Sequence, residues 1–124
     1  MRLLLDMGAD VNAQSGYYGN ALQAAAFWGQ FDQVEAIWLL LEKGADVNAQ
    51  GGKYGSALQA AAYRGQVNAI RLLLDRGADV NAQGGMYGNA LQAAADGGKV
   101  EAMRLLRSKR AVGGESKDIN LEQL

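Results

Sequence analysis

The sequence predicts an all-α fold, a solenoid of stacked helix-turn-helix units with a turn-like finger projecting from each. Three observations carry that prediction. GADVNAQ stands at 8–14, 44–50 and 77–83, and ALQAAA starts at 21, 57 and 90, so two separate motifs recur together, first 36 and then 33 residues apart. Periods of this size mark supersecondary units that stack because none can bury its apolar face alone. Second, Ile70, Leu73 and Leu74 fall at the i, i+3, i+4 spacing of a buried helical stripe. Third, 49% of the chain is apolar but only two Phe and two Trp contribute, so the core has to come from closely approaching, Ala-lined helices.

Composition also narrows what the protein does. The net charge is −1 with both signs interspersed, which predicts neither a nucleic-acid nor a membrane-surface partner. Cys and His are both absent. Without them the chain lacks thiolate nucleophiles, disulfides, the commonest general base and the commonest metal ligand. A Cys-free composition fits an intracellular, cytoplasmic setting. The longest apolar run, Ala36 to Leu41, is too short to span a bilayer, and the three-Leu run of MRLLLDMGAD stops at Asp6. No phosphate-cradling Gly loop, no spaced pair of metal ligands and no Ser with a His base occurs. The expectation is a protein that is not an enzyme, with no cofactor, no metal and no small-molecule substrate.

Taken in order, the chain opens on RLLLDMGADVNAQ, the letters of a second helix and finger only. Residues 1–14 therefore read as a partial unit, and the chain as a fragment or truncated array. The unit 15–50 has Asn20 as N-cap of a helix starting at Ala21. Phe31 to Gln33 is a three-residue insertion, because Val34 to Glu42 then realigns with Val67 to Asp75, and Trp38 falls where Arg71 and Arg104 stand. In the unit 51–83, Ser56 caps a helix over Ala57 to Arg64, Gly65 ends it, and a second helix over Val67 to Arg76 closes on a left-handed Gly77. The following ADVNAQGGMYG holds a Gly pair suited to a tight turn. In the unit 84–112, Asn89 is the cap, and Arg107 and Ser108 replace Leu74 and Asp75, with Lys109 and Arg110 after them. That polar surface reads as a C-terminal capping repeat. GGESKDINLEQL, residues 113–124, reads as a flexible tail. The expected core comprises Leu22, Leu58, Leu91, Ala25, Ala61 and Ala94.

The 33-residue period, the two-helix unit, Gly65, LLL and GADVNA together resemble the ankyrin repeat over residues 1–112. The family's Thr-Pro-Leu-His stands here as Asn20-Ala21-Leu22-Gln23, Ser56-Ala57-Leu58-Gln59 and Asn89-Ala90-Leu91-Gln92. Gln donates and accepts from the same place as the family's His. Pro is absent, leaving the first helical position to Ala. The wording YGNALQAAA is similar to arrays appended to large signalling proteins of filamentous fungi.

The resemblance implies a non-catalytic scaffold for protein–protein interaction, binding a protein partner through finger tips and first helices on its concave face. Carried over, those places hold Tyr17, Tyr18, Lys53, Tyr54, Met86 and Tyr87 on the fingers, and Phe27, Trp28, Tyr63, Arg64, Asp96 and Gly97 on the first helices. Tyr, Trp and Arg dominate interface energetics. The partner-binding set is accordingly Phe27, Trp28, Tyr63 and Arg64, with Lys53, Tyr17 and Met86 beside them. Two alternatives stand. Tyr18, Tyr54 and Tyr87 recur in register, which suits bracing the fingers, and Phe27 and Trp28 suit packing against the insertion. The competing reading of the whole chain is a structural segment of a longer solenoid with no partner of its own.

Overall fold

The computed structural model describes residues 12–14, 19–28 and 34–113. Among them are six helices in three pairs: α1 (Ala21–Trp28) with α2 (Glu35–Glu42), α3 (Ala57–Arg64) with α4 (Val67–Asp75), and α5 (Ala90–Asp96) with α6 (Val100–Gly113). The first helices form one layer, α3 packing between α1 and α5, and each second helix backs its own first helix. Ala at the contact lets the first helices approach closely. Ala57, Ala60, Ala61 and Ala62 of α3 are all buried, with Leu58 between them. Ile37, Leu40, Ile70, Leu73 and Leu106 fill the space behind.

Each first helix starts on the cap its sequence provides. Ser56 accepts from the Gln59 backbone N–H at 3.2 Å, while the Gln59 side chain accepts from the Ser56 N–H at 2.7 Å, satisfying two orphan donors reciprocally. Asn20 and Gln23 make the same pair at 2.9 and 2.6 Å. The same glutamine then crosses to the next unit. Gln59 Nε2 donates to the carbonyls of Gly84 and Gly88, at 2.8 and 3.0 Å. Gln23 Nε2 donates likewise to Gly51 at 3.0 Å, to Ala49 at 3.2 Å and to Gly55. One side chain thus caps its own helix with its carbonyl and ties down the finger behind it with its amide, using both the acceptor and the donor that Gln carries.

The GADVN motif does the equivalent work at the other end of each unit. Gly44 and Gly77 adopt positive φ, +97° and +96°, and so close α2 and α4. Asp46 and Asp79 accept from the N–H groups of Asn48 and Asn81 two residues on. Asn48 in turn donates to the Gly77 carbonyl at 3.1 Å and accepts from Asp79 N–H at 2.7 Å, and Asn12 treats Gly44 and Asp46 the same way. The fingers are minimal hairpins, with Gly51 opposite Gly55 and Gly84 opposite Gly88. Met86 N–H donates to the Lys53 carbonyl, joining the two fingers. At Gly85, a Cβ would run into the Tyr54 backbone, which is why this approach needs glycine.

Three expectations change. Leu91 and Ala25 are half-buried rather than core, whereas Leu22, Leu58, Ala61 and Ala94 are fully buried. The predicted helix Val67 to Arg76 ends at Asp75, with Arg76 as its C-cap. The last helix runs to Gly113. Its physical cause is that Arg110 stands where Gly77 closes α4, so no left-handed residue stops the helix there. The partial unit before Asn12, the Phe31 to Gln33 insertion and the tail beyond Gly113 lie outside the described residues.

Candidate functional site

The fingers and the C-terminal turns of the first helices share one face. Phe27 and Trp28 end α1, Tyr63 and Arg64 end α3, and Tyr54 and Tyr87 sit in the fingers. Because a finger belongs to the unit after the helix it lies against, residues from alternating origins meet. Phe27 stacks on Tyr54 with ring centroids 4.7 Å apart. Tyr54 lies 5.4 Å from Tyr63, and Tyr63 stacks on Tyr87 at 5.0 Å. Among the described residues the result is a ladder of four rings, helix, finger, helix, finger. Offset stacking of this kind adds about 0.5–1.5 kcal/mol per pair beyond area burial.

Trp28 meets the Phe27 ring edge-on at 4.9 Å and is 51% exposed, and Met86 at the finger tip is 58% exposed. Arg64 lays its guanidinium over Phe27 at 4.8 Å and over Trp28 at 5.4 Å, both within cation–π range. It also stands in the last turn of α3, where a cation suits the helix dipole. Lys53 Nζ lies 5.5 Å above the Tyr54 ring. Pairing with the Tyr63 hydroxyl, and then burial, hold the Tyr87 phenol above its ordinary pKa, with nearby Lys53 pulling the other way.

The expected binding residues separate into two kinds. Phe27 is buried at 6% exposure beneath Tyr54 and Arg64, and Tyr63 is half-buried between two tyrosines. Trp28 and Met86 stand out to solvent, and Arg64 and Lys53 are half-exposed. Tyr17, with Tyr18, lies outside the described residues. Tyr54 and Tyr87 are rungs of the ladder, and Tyr54 is buried. The in-register recurrence of the tyrosines was the available signal for that. Asp96 ends α5 and accepts from Gln92 Nε2 at 3.4 Å, while Gly97 is the helix C-cap and Gly98 turns the chain with φ +68°.

On the opposite face, Trp38 is 46% exposed on α2, in register with exposed Arg71 and Arg104. An exposed Arg76–Glu42 ion pair at 2.8 Å links α2 to the end of α4 there. Among the described residues no group of three or more acidic residues could hold a metal ion, and no helix is long and apolar enough to cross a membrane.

Two family models match the chain. The one described as "Ankyrin repeats (3 copies)" covers residues 51–121, and the one described as "Ankyrin repeat" covers residues 20–52. Comparison with curated proteins gave no match.

Proposed function

The chain belongs to the ankyrin-repeat family, whose members are generally protein–protein interaction modules and typically non-catalytic, and on that premise we propose that its finger and first-helix face binds a protein partner without chemistry. The observation that carries the reading is the ladder itself. Stacking fixes Phe27, Tyr54, Tyr63 and Tyr87, and this rigid floor presents exposed Trp28 and Met86 with Arg64 between floor and solvent. Rigid aromatic anchors lose little entropy on binding, so their buried area converts efficiently to affinity.

The test is affinity capture from a cell extract with three baits, each first shown to be folded by circular dichroism. They are the natural chain, a Trp28→Ala/Met86→Ala variant, and Trp38→Ala as an opposite-face control. Proteins retained by the natural chain and by Trp38→Ala, and lost by the double variant, support the reading. Equal recovery on all three baits contradicts it.

A second reading, a structural segment of a longer solenoid, has one observation in its favour. Among the described residues, Gln92 and Asn81 make none of the cross-unit bonds that Gln23, Gln59, Asn12 and Asn48 make. A further unit stacked on them would supply those partners. Appending a copy of residues 44–83 after Lys109, which keeps the GADVNAQ turn in register, should then raise the thermal midpoint, and an unchanged midpoint speaks against this reading.

A further inference from the structure

We propose that Arg64 is a carboxylate-binding residue, and that the finger and first-helix face recognises an acidic protein segment in which an Asp or Glu lies beside an aromatic or large apolar side chain. This deepens the interaction reading above and rests on it.

The argument begins with what Arg64 lacks. Arg76 and Arg104 each pair with a glutamate on the opposite face, at 2.8 and 3.5 Å. Arg64 has no hydrogen bond and no ion pair among the described residues; its contacts are the two ring faces of Phe27 and Trp28. A guanidinium lying over aromatic rings presents its N–H fork in its own plane, toward whatever approaches along the face. That fork matches a carboxylate bidentately. Since the two rings already hold the group, little rotamer freedom remains to be lost on binding.

Charge on the same face points the same way. The fingers 51–55 and 84–88 and the helices α1 and α3 contain no acidic residue, while Lys53 stands above Tyr54 near the middle of the ladder. The one acidic residue on a first helix is Asp96, at the far end, and it is engaged by Gln92. Of the other described acids, Glu35, Glu42, Asp75 and Glu101 belong to second helices, and Asp46 and Asp79 lie in the turns before the fingers, where they accept from the N–H groups of Asn48 and Asn81. A cationic segment would meet Lys53 and Arg64 head-on. It would also find no aromatic cage, because the Phe27, Tyr54, Tyr63 and Tyr87 rings are stacked on one another and Arg64 covers the Phe27 face. An anionic segment meets the fork of Arg64, with Trp28 and Met86 exposed nearby to take an apolar neighbour.

The test selects binders from a random-peptide library displayed on phage against the full chain, and keeps those whose binding is lost on Trp28→Ala. The proposal expects the retained peptides to carry Asp or Glu within two positions of an aromatic residue or Leu. Changing that acid to its amide should weaken binding to the natural chain roughly tenfold or more, and leave binding to a folded Arg64→Leu variant unchanged. Retained peptides without an acid, or amide versions that bind as well as the acids, overturn the carboxylate site and leave the interaction face intact. Full affinity in an Arg64→Lys variant overturns the bidentate fork. If no selected peptide is sensitive to Trp28→Ala, the interaction face and the carboxylate site both fail.

Discussion

Residues 57–62 and 90–95 spell the same six letters, yet the two copies live in different surroundings. Leu58 is 1% exposed, while Leu91 is half-buried. Gln59 is enclosed and holds four partners, Gln50, its own cap Ser56, and Gly84 and Gly88 of the next finger, whereas the Gln92 side chain is exposed and among the described residues reaches only Asp96. Ser56 sits in a reciprocal capping box, and Asn89 keeps just its forward arm, to Gln92 N–H at 2.8 Å. Local sequence specifies the helix and its cap in both copies. What the neighbouring unit adds is burial and the second set of hydrogen bonds, and it adds them only where a neighbour stacks.

The largest contrast should come from Leu58→Ala against Leu91→Ala. Truncating a fully enclosed leucine leaves a cavity and should cost about 3 kcal/mol, and the half-exposed site about 1 kcal/mol. Urea unfolding of the two variants measures the gap directly, and equal costs would break the comparison. Next, Gln59→Ala strands the Gly84 carbonyl and the Ser56 N–H and leaves the Gly88 carbonyl with the Gly84 N–H alone, which should cost about 2 kcal/mol in the same assay, against about 0.5 kcal/mol or less for Gln92→Ala. Ser56→Ala and Asn89→Ala sharpen the point at a smaller scale: both lose a cap worth about 1 kcal/mol, with the loss at Ser56 the greater because the Gln59 N–H it leaves unpaired is buried, whereas the Gln92 N–H turns to water.

The smallest effect concerns pH. The folded chain holds the Tyr87 proton more tightly than the unfolded chain does, through the Tyr63 hydroxyl first and burial second. Its contribution to stability is therefore complete below the ordinary phenol value of about 10 and lost as pH climbs through the raised folded value. Thermal midpoints recorded on either side of pH 10 should fall on the alkaline side, and Tyr87→Phe should flatten that fall.

Much of this architecture was legible in the sequence because it is encoded within a few residues. Ser56, Asn20 and Asn89 cap helices at the positions their spacing predicts, Gly65 and Gly77 end theirs with positive φ, and α3 occupies Ala57–Arg64 as expected. The glutamines in place of His were readable as donors and acceptors, though not their targets, which lie 25 to 32 residues away. The candidate site was legible as a list of positions and not as an arrangement. Nothing near Phe27 in sequence announces that Tyr54, a residue of the next unit's finger, will cover it, so a residue read either as a contact for a partner or as packing against the insertion is instead a rung of the ladder. The overrun of α6 had a visible cause in Arg110, which stands at the position of the terminating Gly77.

The central claim is that a stacked neighbour, not the repeated letters, decides what each copy does. It is tested most directly by hydrogen exchange of the glutamine side-chain amides in the full chain, followed by NMR. The Nε2 protons of Gln23 and Gln59, which donate into the next finger, should be protected, while those of Gln92 exchange as fast as a free amide. Equal exchange at all three glutamines would contradict the account.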